Sequence, residues 1–200
     1  MNLLVDQAPR EIELSGSLYQ IDADFRTSIR FELLMEDDSV PDEDKLIRGL
    51  SLYYGDITIL PDLVEAVEKI IWFYQSGDRE RSGSEQGGRK DPIYSFEHDA
   101  EYIYSAFMAQ YRINLQRIDF LHWWEFKALF RGLNDENQIV KIMGYRAMDI
   151  PNTMTQEQKE HYRKMKKLYA LPLPKTEQEK LNSIEEALLN GGNVSDLLQG

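Results

Sequence analysis

The sequence has no cysteine, three histidines in 200 residues, and no apolar run near the ~18 residues that a membrane-spanning helix needs. Without cysteine there are no disulfides, no thiol catalysis and no cysteine-ligated metal, which fits a reducing cytoplasm. His98, His122 and His161 fall in three separate predicted helices, and none has a His or Cys partner at ligand spacing. Zinc chemistry needs such a partner, so no metal and no other cofactor is expected. Met1–Pro9 lacks the charged start and apolar run of a signal peptide. Basic residues are also in deficit, at 23 against 35 acids for a formal net charge of −12, which disfavours nonspecific nucleic-acid binding.

The deficit is uneven. Residues 1–76 hold 16 acids and 6 bases, a net of −10, whereas residues 93–200 hold 15 and 13, a net of −2. Between them, Ser76–Pro92 (SGDRERSGSEQGGRKDP) has no Leu, Ile, Val, Phe, Tyr or Trp. Such a stretch cannot bury apolar surface and reads as a flexible linker. The expected organisation is an acidic domain over 1–76, a linker over 77–92, an aromatic-rich helical domain over 93–172, and a C-terminal helix and tail over 173–200. At 42% hydrophobic residues the chain can bury a core.

The predicted fold is mainly α with a short N-terminal β-hairpin. Apolar Ile12, Leu14, Leu18 and Ile21 flank Ser15-Gly16-Ser17, a hairpin turning on Gly16. Asp24 caps a helix whose stripe is Phe25, Ile29, Leu33 and Leu34. A second helix over about 42–54 uses Leu46, Ile47, Leu50 and Tyr53. A third starts with Pro61 at its first position and carries a stripe of Leu60, Leu63, Val64, Val67, Ile70, Ile71 and Tyr74. Trp72 and Phe73 fall outside that stripe. After the linker everything reads as helix: 100–111, 119–132, 136–149, one opened by a Thr155/Gln158 capping box, and one from Thr176 closed by Gly191-Gly192.

Carboxylate clusters such as Glu36-Asp37-Asp38 and Asp42-Glu43-Asp44 lie at helix ends, where solvated acids are ordinary, so no catalytic pair is inferred. Gly87-Gly88 lacks the spacing of a phosphate loop. What remains is aromatic. On a helical wheel His122, Trp123, Phe126, Leu129, Phe130 and Leu133 share one broad face, with Phe120, Leu121, Trp124 and Ala128 opposite. Either the helix is central and buried on both sides, or the Trp124 face binds another protein. The helix over 155–171 concentrates Lys159, Arg163, Lys164, Lys166 and Lys167. This is a solvated face or a dock for an acidic surface, and Lys164, Lys166 and Lys167 are the candidate contacts. Arg146 reads as a buried or capping arginine.

Six segments carry a family resemblance: DFRTSIRFE (Asp24–Glu32), WFY (Trp72–Tyr74), DAEYIYSAF (Asp99–Phe107), HWWEFKALFRGL (His122–Leu133), MGYRAMDI (Met143–Ile150) and YRKMKKLYALP (Tyr162–Pro172). In order, from about Met1 to Pro172, they resemble the "gene product fifteen" proteins of tailed phages and prophages of Gram-positive bacteria. Members of that family resemble tail assembly chaperones, which are encoded between the major tail protein and the tape-measure protein and are often made through a translational frameshift. The resemblance implies a non-enzymatic chaperone in the host cytoplasm that binds the tape-measure and other tail proteins and self-associates. The rival expectation is a structural tail or connector protein of the virion.

Overall fold

The computed structural model describes residues 2–77 and 92–172. Strands β1 (Glu11–Leu14) and β2 (Ser17–Gln20) pair antiparallel, with Leu14 opposite Ser17. The two-residue turn has φ of 49° at Ser15 and 80° at Gly16, the left-handed pair that matches strand twist in a tight hairpin. Ser15 donates to the Glu65 carboxylate through its backbone N (3.0 Å) and its hydroxyl (3.1 Å), which fixes the hairpin tip to a helix far along the chain.

Helices α1 (Phe25–Glu36), α2 (Asp42–Tyr54) and α3 (Leu63–Tyr74) follow, with a 3-10 turn at Ile57–Ile59 before α3. Asp24 caps α1 as expected, accepting from Arg26 N at 3.0 Å. α1 and α2 pack so closely that a Cβ on Gly49 would lie 2.9 Å from the Phe31 ring. α1 buries Phe25 and two hydroxyls, while Ile29, Leu33 and Leu34 of its expected stripe are only half-buried: Ser28 accepts from the Tyr53 hydroxyl (2.9 Å), and Thr27 donates to Asp22 (2.7 Å). α3 departs from its sequence reading in two ways. Its cap is Asp62, which accepts from Val64 N and Glu65 N, so Pro61 precedes the helix instead of opening it. A carboxylate satisfies two free N–H groups there, which proline cannot do. Its buried residues are Ala66, Ile70 and Phe73, while Leu63, Val64 and Ile71 of the expected stripe are exposed. α2 likewise buries Lys45, Gly49, Leu50 and Tyr53 and leaves Leu46 and Ile47 exposed.

Past the undescribed segment come α4 (Ala100–Tyr111), α5 (Trp123–Arg131), α6 (Gln138–Ala147) and α7 (Gln156–Leu168). The described residues are mainly helical, with the hairpin as their one sheet, as predicted. Both halves of the Thr155/Gln158 capping box are formed. Residues 78–91 of the linker expected over 77–92 and the helix expected from Thr176 lie outside the described residues.

The separation into a 1–76 domain and a 93–172 domain is not how the described residues pack. One hydrophobic core takes Ile12, Leu14, Phe25, Tyr53 and Phe73 from the first segment and Phe107, Trp123, Phe126 and Ile139 from the second. Phe126 shows why. Its ring stacks between Phe25 and Phe107, each with centroids 4.9 Å away and planes within 11°. Removing the first segment would strip the Phe25 side of that stack, and removing the second would leave Phe25 without it.

Candidate functional site

The aromatic junction is built around a short extended pairing. Phe25 N donates to Leu121 O and Trp123 N to Ala23 O, both at 2.9 Å, so Asp24 and His122 face each other as an antiparallel bridge. This is why α5 starts at Trp123, four residues later than the sequence pattern predicts: the backbone of Leu121–Trp123 pairs with Ala23–Phe25 just as the helix begins. Asp24 serves both sides, capping α1 and accepting from Leu121 N (3.2 Å). Arg26 pairs with Asp24 and donates to the carbonyls of Leu115 (2.8 Å) and Ile118 (2.7 Å), which ties down the loop leading into α5.

His122 caps α5. Its Nδ1 accepts from Trp124 N at 3.0 Å, so that nitrogen carries no proton, and Nε2–H donates to Pro9 O at 3.0 Å. Burial, as the largest cause, lowers its pKa, and protonation would remove the cap. The tryptophans behind it close the C-terminal end of α3. Trp123 Nε1 donates to Tyr74 O (2.8 Å), Trp124 Nε1 to Phe73 O (2.7 Å) and Lys127 Nζ to Tyr74 O (2.9 Å). These are carbonyls that a helix end leaves without internal partners, and Lys127 adds a cation where the dipole is negative. The Tyr74 hydroxyl bonds the Glu32 carboxylate, and burial raises the pKa of both groups.

A second knot holds the far end. Arg146 grips Asp99 through both guanidinium nitrogens (2.5 and 3.0 Å) and donates to Tyr169 O (2.6 Å) and Ile93 O (3.1 Å). Of the two readings of Arg146, buried or capping, the geometry matches the second: Tyr169 is the C-cap of α7.

The predicted interaction residues do not come together. Trp124 is 2% exposed, with its ring against Trp72, Phe73 and His122, and Leu121 is buried. The Trp124 face is therefore no open interface: the end of α3 covers its first turn. Ala128 is exposed one turn on, and the half-exposed Phe120 lies under the Arg10 guanidinium, 4.2 Å away. On α7, Lys164 and Lys167 are exposed, whereas Lys166 donates to Met148 O (2.8 Å) at the end of α6. Among the described residues no three His, Asp or Glu side chains are grouped to hold a metal, and no helix is long and apolar enough to cross a membrane.

The family model described as "Bacteriophage Gp15 protein" matches residues 4–171. The chain belongs to that family. Neither a curated protein nor a solved structure matches it. The Gp15 family points to a structural or assembly protein of a phage.

The family-like motifs are the places where this Gp15 chain ties itself together. DFR supplies the Asp24–Arg26 clamp, WFY the carbonyls that the indoles cap, and DAEYIYSAF the carboxylate for Arg146. HWWEFK supplies the cap and both indoles, MGYRAMDI supplies Arg146, and the last motif supplies the Tyr169 carbonyl that Arg146 holds. Sequence reasoning missed Arg26, Glu32 and the capping role of His122. Asp at a cap two residues before Arg was a visible signal for the first, while the other two depend on distant partners.

Proposed function

We propose that this Gp15 protein is a tail assembly chaperone that binds the tape-measure protein in the host cytoplasm and catalyses no reaction. The observation that carries the reading is an excess of acid combined with uncovered apolar side chains. The segment with a net charge of −10 exposes Leu46, Ile47, Ile59, Leu63, Val64 and Ile71. Charge keeps such a protein soluble, and apolar surface on it can cover the apolar stripes of an unassembled helical client. The aromatic junction supports the reading indirectly: it holds a rigid body together and leaves binding to the surface. Self-association has a separate route, in which exposed Arg163, Lys164 and Lys167 of α7 meet acids such as Asp42, Glu43 and Asp44 of another copy.

The test is coexpression with the tape-measure protein of the same phage at matched levels. The tape-measure protein should become soluble and copurify. If it stays equally insoluble, and mass spectrometry finds this chain at fixed stoichiometry in purified particles, the protein is a structural tail or connector component instead.

A further inference from the structure

We propose that the outward face of α3, with the 3-10 turn before it, is a docking surface for an amphipathic helix whose apolar ridge is flanked by lysine or arginine. This rests on the reading of the chain as a protein-binding assembly factor and names the surface and the chemistry of its partner. α3 turns Ala66, Ile70 and Phe73 inward. At 100° per residue, Val64, Glu68 and Ile71 then point away from the core, and Leu63 in the first turn is exposed as well. Val64 is 70% exposed, Ile71 43% and Ile59, on the preceding turn, 59%. Two large apolar side chains, with Glu68 between them, thus stand two turns apart on the solvent side of a packed helix. Helix-in-groove recognition reads such rows through anchors spaced i, i+3, i+4 and i+7, and Val64 and Ile71 stand seven apart.

Charge decides the occupant. Residues 56–74 hold Asp56, Asp62, Glu65 and Glu68 against Lys69, a net of −3. A second copy pairing through this face would set like charges together. The chain's own residues 173–200 carry five acids and two bases, also −3, and would be repelled in the same way. The basic helix α7 is half-covered along its apolar side, with Tyr162 beside Tyr145, and exposes only Leu168 as a large apolar side chain. It can meet acids but cannot cover an apolar row. A partner with lysine or arginine flanking an apolar ridge satisfies both halves of the surface.

Binding of synthetic peptides to the full chain tests this. One peptide places leucine and lysine at amphipathic helical spacing, the second scrambles the same composition, and the third replaces lysine with glutamate. The first should bind about tenfold or more tighter than either control, and the double variant Val64→Gln/Ile71→Gln should lose that margin. Both residues are exposed, so circular dichroism and Tm should not change. Glu68→Lys should weaken binding, by less as salt rises. Equal binding of amphipathic and scrambled peptides, or undiminished binding by the double variant, overturns the proposal. So does a dimer that the double variant dissolves while the peptide does not bind. If the tape-measure protein is rescued equally by the double variant, the chaperone reading stands and this surface is wrong. If the peptide result holds but no rescue occurs, the surface stands and the chaperone reading fails.

Discussion

At the scale of single residues, Trp124 and His122 show how little room the junction leaves. Both indoles are buried and each donates to a carbonyl at the end of α3. Trp124→Ala should therefore cost ~3–5 kcal/mol, as much as Trp123→Ala, measured by urea unfolding. A wheel puts the two rings on opposite faces, and nothing in the local pattern tells whether a second element will cover the outer one. His122 supplies a pH response. Its folded pKa lies below the ordinary 6.5, so its contribution to stability is complete above that value and is lost as pH falls toward the folded pKa. Glu32 acts in the opposite sense: its pKa is raised above 4.5, so its contribution declines as pH rises from there. The comparison of wild type with His122→Asn isolates the histidine, since asparagine is a good cap that does not titrate. Stability of the variant should fall less between pH 7 and pH 5 than that of the wild type.

Elements governed by local chemistry were legible and those governed by distant partners were not. The hairpin turn needs left-handed backbone, which Ser15-Gly16 permits, and the start of α7 needs the side chains of Thr155 and Gln158; both follow from a few adjacent residues. α3 defeats the same reasoning. Leu63, Val64 and Ile71 of its expected stripe face water, while small Ala66 and aromatic Phe73 join Ile70 in the core, because α2 approaches along Ala66 and the tryptophans along Phe73. The side chains proposed above to meet a partner are thus ones whose periodicity points to the interior. α7 is the least embedded helix, with no buried residue of its own, and Arg146 tethers the carbonyl that follows its last turn. Arg146→Ala would leave Asp99 buried without its cation, at a cost of ~3–5 kcal/mol. Hydrogen exchange should then accelerate in α7 more than in α1 or α2.

Across the whole molecule, charge and packing divide the chain differently. By charge it is an acidic segment and a nearly balanced one, and that contrast, with the apolar-free stretch between them, makes two domains the natural expectation. By packing it is one core. The pairing of Ala23–Phe25 with Leu121–Trp123, the Phe25–Phe126–Phe107 stack and the indole caps on α3 all cross between the segments. The most direct measurement is thermal unfolding of residues 92–172 expressed alone, followed by circular dichroism. A single shared core predicts no cooperative transition for this fragment, and its restoration when residues 1–77 are added. A cooperative transition in the isolated fragment, at a Tm close to that of the intact chain, would contradict it.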